Sequence, residues 1–165
     1  MRPHALSLPR SLFGLAVSFA ACFTVSSLGA IVTAGPVRHW YPSLAKPAIT
    51  PPDLAFPIVW TLLFAMMAVA AWRVWKVAGF GAGRGALALF GLQLALNLGW
   101  SVLFFGQQRI GLALAEIILL WLAIAATIRA FAAHDRAAAW LLAPYLAWVS
   151  YAAILNLLIW QMNPA

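Results

Sequence analysis

Acid is what this chain has least of. Only Asp53, Glu116 and Asp135 carry a side-chain carboxylate, against ten lysines and arginines. They stand far apart, and no paired carboxylates or Ser-His-Asp set offers acid–base or nucleophilic chemistry. Cysteine is nearly absent too. Cys22 is alone, which excludes an intrachain disulfide and a cysteine metal cluster. The three histidines, His4, His39 and His134, lie outside the apolar runs, so axial histidine ligation within those runs is excluded. Only His39, on the first connector, could approach a pocket metal, and no metal site is expected.

Charge of either sign is scarce. Charged residues make up 8% of the chain, against roughly 25% in soluble domains. Hydrophobic residues make up 65%, and the mean hydropathy is +0.96. A water-soluble core of this size cannot hide so much apolar surface, so the solvent is lipid, and the length suits one domain. The pI near 10.9 does not point to nucleic acid, because the basic residues sit between apolar runs and form no dense face. That placement is the pattern of headgroup contacts and topology signals.

What is present is apolar length. A bilayer-spanning helix needs about 20 mostly apolar residues. Five segments qualify, at about 11–35, 52–76, 86–106, 110–132 and 138–161. Transmembrane barrels use short alternating strands instead. The fold class is therefore an all-α membrane protein, a five-transmembrane-helix bundle over 11–161. A basic tail (1–10) precedes it, a lid loop (36–50) follows the first span, and 162–165 form a C-terminal tail. "FAAC" at 19–22 faintly resembles a lipoprotein cleavage site. The uncharged run from Ser11 to Val37 is too long for a signal segment, and it reads as a retained membrane helix. "GFGAGRG" at 79–85 lacks dinucleotide spacing and a preceding strand, and reads as a flexible connector.

Charge in the connectors orients the bundle. Arg2, Arg10, Arg73, Lys76, Arg84, Arg129 and Arg136 fall on one side, and Arg38, Lys46 and Arg109 on the other. The positive-inside bias predicts a cytoplasmic N-terminus, with the first connector on the opposite side. That connector is stiff: "WYPSLAKPAITPPDLAFPIVW", residues 40–60, holds Pro42, Pro47, Pro51, Pro52 and Pro57. Thr50 is expected to cap the second span, with Pro51 in its first position and Asp53 near its positive end. Pro57 is expected to bend it.

Three spans carry stripes at helical spacing. They are Trp60, Phe64, Met67 and Ala71; then Gln93, Asn97, Trp100 and Phe104; then Tyr145, Trp148, Ala152 and Asn156. Polar side chains at membrane depth turn away from lipid, so Gln93, Asn97 and Asn156 mark the bundle interior. Such stripes serve either interhelical packing or a pocket. Their combination with a stiff, aromatic-flanked loop favours a pocket with apolar walls and a few polar groups. Trp72, Trp75, Trp140 and Trp160, near span ends, read as interface anchors. Gly91, Ala95 and Gly99 repeat every four residues on the face opposite Gln93 and Asn97, a small-residue pattern that suits a dimer seam. Glu116, the acid well inside a span, is either a functional carboxylate or a rim group snorkelling towards or pairing with Arg109.

The segments "WYPSLAKP" and the following "PP", then "PIVWTLLF", "QLALNLGWSVLFFG" and "PYLAWVSYAAILN", closely resemble the TspO/MBR family. This is the group of tryptophan-rich sensory proteins and translocator proteins, or peripheral benzodiazepine receptors. The likeness runs from about residue 12 to 161. It implies a five-helix membrane protein, usually dimeric, that binds porphyrins and in some members cholesterol and benzodiazepine-type drugs. The ligand pocket would lie among the helices beneath the first connector. By motif it would be lined by Trp40, Tyr41, Trp60, Asn97, Trp100, Phe104, Trp148, Ala152 and Leu155, and the second-span stripe adds Phe64. The tryptophans linked to light-dependent porphyrin breakdown correspond to Trp60 and Trp148. Ile49 and Leu54 stand where many relatives have Trp, and "LNLLIWQMNPA" lacks the Tyr and basic residue of the cholesterol-type motif.

The resulting expectation is a porphyrin-binding membrane protein with a sensory or regulatory role, needing no cofactor, with tetrapyrroles or other apolar small molecules as ligands. Ligand propionates would suit Lys46, Arg38 or lid amides. Two alternatives stand beside it. One is an enzyme for light- and oxygen-dependent porphyrin degradation. The other is a transporter, which the absence of an inverted repeat disfavours.

Overall fold

The computed structural model describes residues 8–164, so Arg2, His4 and most of the basic tail lie outside the described residues. Five helices are long and apolar enough to cross a membrane: Leu8–Ala34, Ala55–Ala82, Arg84–Gly106, Ile110–Ala132 and Arg136–Met162. They are called the first to fifth spans below. No strand occurs among the described residues. The first span packs on the second, the third on the fourth and the fourth on the fifth, while the third also touches the first and second.

The core sits where the predicted stripes converge. Phe64, Met67 and Ala71, Gln93, Asn97 and Phe104, and Tyr145 and Asn156 are all buried. The interior is therefore the polar-marked face, as membrane-depth chemistry requires. The amides are tied across spans. Asn97 Nδ2 donates to Tyr145 Oη at 3.1 Å. Trp100 Nε1 donates to Asn156 Oδ1 at 3.0 Å, and Asn156 Nδ2 donates to the Ile110 carbonyl at 3.0 Å. That chain joins the third, fifth and fourth spans.

Several boundaries differ from expectation, each for a physical reason. The second span starts at Ala55 rather than Pro51. A residue before proline is pushed out of helical conformation, so the Pro51–Pro52 pair keeps Thr50 and Pro51 out of the helix. The Thr50 hydroxyl donates to the Pro47 carbonyl at 2.8 Å instead of capping the helix. Pro57 consequently falls in the first turn, where its missing N–H is one of the orphan donors anyway and its backbone stays helical. The break in this helix is Gly79, at φ 60° and ψ −164°, a conformation that suits glycine. Beyond it the helix continues to Ala82, so most of the predicted 79–85 connector is helical. Gly83 must also be glycine, since a Cβ there would lie 2.5 Å from the Gly79 carbonyl oxygen.

The third span ends in a π-helical turn, Val102–Gly106. The fifth is divided at Leu142, just before Pro144, into Arg136–Leu141 and Ala143–Met162. Its start is capped by Asp135, whose carboxylate accepts from the Ala137 N–H at 2.8 Å and the Ala138 N–H at 3.2 Å. Asp135 also pairs with Arg73 of the second span at 2.9 Å. Burial raises the Asp135 carboxyl, but the Ala138 N–H, Arg73 and the Ala137 N–H outweigh it and hold the group below its ordinary range.

Two predicted membrane-interface anchors are packing residues. Trp72 Nε1 donates to the Ser11 carbonyl at 2.9 Å, and the Trp75 ring lies directly over Gly14, where any Cβ would collide with it. Both bind the first span to the second. Trp140 and Trp160 stay exposed.

Candidate ligand cavity

The stripes and the connector enclose one cavity of about 770 Å³, within the range of small-molecule sites. Its walls include Trp60 and Phe64 from the second span, Asn97, Trp100 and Phe104 from the third, and Trp148, Ala152 and Leu155 from the fifth. Tyr41 and Pro42 face it from the connector, with Arg38 and Asp53 also in the lining. The first span contributes small side chains, Ser26, Gly29, Ala30 and Thr33, a wall that the sequence stripes did not indicate.

The aromatic walls hold one another in place. Trp100 stacks on Phe104 with ring centres 5.0 Å apart. Trp60 meets Tyr145 edge-on at 6.2 Å, and Trp148 meets Phe56 edge-on at 6.0 Å. Such pairs fix ring orientation beyond simple area burial. Trp40 is the exception among the motif residues: it does not line the cavity. It packs edge-on against Phe104 and Phe105, at 5.7 and 6.5 Å, and thereby supports the wall from behind.

The connector is fastened as a cover. Its chain makes a short helical turn, Pro36–His39, and a 3₁₀ turn, Tyr41–Ser43. Tyr41 is buried against Phe104 and Ile110. Burial raises its phenol above the ordinary tyrosine value, with Asp53 and Tyr151 adding to the effect. Further along, Ala45 bonds to Asn163 at the end of the fifth span, and the Tyr151 hydroxyl donates to the Ile49 carbonyl. These tethers carry the loop from the first span across to the fifth before it returns to the second.

Three expectations about polar groups change. Lys46 is committed to the loop itself: its ammonium donates to the carbonyls of Tyr41, Pro42 and Leu44 at 2.9, 3.2 and 3.0 Å. His39 is exposed and is not part of the cavity lining. Glu116 makes no ion pair with Arg109. Its carboxylate sits against Gly99, where a Cβ would come 3.5 Å from Oε1, and neither oxygen has a hydrogen-bond partner among the described residues. A Cβ on Gly99 would meet Glu116 at ordinary contact distance, so this carboxylate does not demand a glycine there. Gly91 and Ala95 are exposed on the outer surface.

Comparison with known proteins agrees with this architecture. The TspO/MBR family pattern matches residues 18–161. The tryptophan-rich protein TspO of Chlorobaculum tepidum is 43% identical over 159 residues, covering 94% of this chain and 99% of its own. The tryptophan-rich sensory protein of Cereibacter sphaeroides is 40% identical over 144 residues, covering 87% of each. The translocator protein of Bos taurus is 40% identical over 139 residues, covering 82% of each. With spans, connector and cavity arranged as described, the chain belongs to the TspO/MBR family.

Proposed function

We propose that this membrane protein binds a tetrapyrrole of the protoporphyrin kind in the cavity and serves a sensory or regulatory role in tetrapyrrole handling. One observation carries the reading. Indole and phenyl faces from three spans line a single covered cavity with a few amide groups among them. A flat apolar macrocycle gains most from such stacking surfaces, and the amides supply orientation. The name of the Cereibacter sphaeroides relative, a tryptophan-rich sensory protein, fits a regulatory role.

A second reading rests on Trp60 and Trp148. Both indoles face the cavity from different spans, and indole is far easier to oxidise than phenyl. Light- and oxygen-dependent breakdown of a bound porphyrin is thus a reaction these walls could support. Assembly as a homodimer through the face of Gly91, Ala95 and Gly99 is part of the proposal, since small residues let helices of two copies approach closely.

Titration of the purified protein with protoporphyrin in darkness tests the binding reading. Saturable quenching of tryptophan fluorescence, with a matching shift of the porphyrin absorbance, is expected. Absence of saturation overturns it. Illumination of the same samples in air tests the second reading, which fails if porphyrin decays no faster than it does free in detergent.

A further inference from the structure

The connector brings two cations close to the cavity, and among the described residues only one of them is free. Lys46 has three ammonium protons, and all three are spent on the carbonyls of Tyr41, Pro42 and Leu44. The same ammonium lies 5.0 Å from the centre of the Tyr41 ring. Moving it to a ligand would strip the cover of its internal bonds. Lys46 is a fastener.

Arg38 differs in every respect. It belongs to the cavity lining, is exposed, and among the described residues makes no side-chain hydrogen bond or ion pair. Its planar guanidinium keeps five N–H donors in a fork that matches a carboxylate. Asp53 also lines the cavity, yet it does not pair with Arg38. The lining therefore carries one available cation and one anion, on different segments of the connector, around an otherwise uncharged interior.

We propose that Arg38 is the carboxylate-recognition residue of the cavity, so that the ligand is an acidic amphiphile: a flat apolar body with a carboxylate at its edge. This rests on the tetrapyrrole reading for the identity of the body only. Arg38 takes the carboxylate in a bidentate, charge-assisted contact. Asp53 repels a carboxylate placed beside it and so fixes which edge of the ligand faces Arg38. Recognition at the cover then separates free acids from esters of identical shape.

Dark titrations with protoporphyrin IX and its dimethyl ester decide the matter. The wild type binds the diacid about tenfold or more tightly than the ester, the scale of one charge-assisted contact. Arg38→Gln abolishes that preference by lowering diacid affinity to the level of the ester. Lys46→Met changes both affinities by the same factor, since it loosens the cover without touching the carboxylate. Asp53→Asn strengthens the diacid alone. The proposal is overturned if the wild type does not discriminate, if the preference survives in Arg38→Gln, or if Lys46→Met is the variant that removes it. If neither porphyrin binds, the tetrapyrrole reading falls. Arg38 is then judged on the same variants with pyrenebutyric acid and its methyl ester, where equal affinities in the wild type overturn it.

Discussion

Asn163 closes both backbone groups of Ala45. Its Oδ1 accepts from the Ala45 N–H at 3.0 Å, and its Nδ2 donates to the Ala45 carbonyl at 2.9 Å. The second Nδ2 proton goes to the Ile159 carbonyl at 2.8 Å, so both ends of this amide are engaged. One side chain thereby pins the middle of the cover to the end of the fifth span. Asn163→Ala should release the cover and raise porphyrin off-rates on the order of tenfold, for a net loss of about 1 kcal/mol per hydrogen bond. Stopped-flow displacement measures it. Replacing Pro47 and Pro51 with Ala should act in the same direction by restoring freedom to the loop. Unchanged rates in both variants would mean that the loop does not gate release.

At the opposite end, Asp135 does two jobs that can be separated. Asp135→Asn keeps an N-cap acceptor but loses the ion pair with Arg73, whereas Asp135→Ala loses both. Arg73 is 39% exposed, so the ion pair adds little on its own. The cap is worth about 1 kcal/mol, so the alanine variant should melt distinctly lower than the asparagine variant. The carboxyl is held below its ordinary range in the folded protein. Its contribution is therefore fully present above the unfolded value, near ~3.9, and disappears as pH falls through the lower folded value. Melting of the wild type should approach that of Asp135→Asn only at the acid end.

The chemistry of the two cavity indoles is tested by conservative exchange. Trp60→Phe and Trp148→Phe keep an aromatic face, and each should cost about 1 kcal/mol of dark porphyrin affinity. If the indoles take part in photo-oxidation, illuminated decay should slow in these variants while dark binding persists. Decay at the wild-type rate in both would leave the tryptophans as walls alone.

Ala95→Leu tests assembly. Ala95 is exposed and stands one turn from Gly91, around which nothing lies within 4 Å of a would-be Cβ. A larger side chain there is harmless within the subunit but blocks close approach of a second helix. The variant should shift towards monomer in detergent, read by light scattering, with porphyrin affinity retained. A dimer that persists would place the interface on another span.

The parts of this structure that are legible in the sequence are those governed by periodicity and solvent. Asn97 and Asn156 cannot face lipid, so their positions fix the inner faces of the third and fifth spans, and the neighbouring aromatics follow. The start of the second span is harder to read, because cap chemistry at Thr50 competes with the steric rule that a residue before proline avoids helix. The steric rule wins. Asp135 is an N-cap signal just before the apolar run of the fifth span, and apolar length alone does not pick it out. The fate of Lys46 is not legible at all. Three carbonyls converge on its ammonium only because the 3₁₀ turn at Tyr41–Ser43 points them there, and no spacing rule encodes that. Trp40 illustrates the same limit: a motif residue can support a wall without forming it.

The first span runs along the second but keeps few of its own residues buried. Its only buried residues are Ser11, Gly14 and Cys22. Beyond Cys22, Val25, Ser26, Gly29, Ala30 and Thr33 line the cavity, while Val32 approaches Gly106 of the third span. A guest molecule would thus add a packing partner along that segment, and binding free energy would show up as rigidity of one half-helix. Amide hydrogen exchange should slow across residues 25–33 when porphyrin is added, while residues 11–22, locked by Trp72 and Trp75, stay as they were. A wall that stiffens on loading converts occupancy into a change of shape and mobility at the bundle's own surface, where another molecule in the membrane can feel it. For a sensor, that is the signal itself.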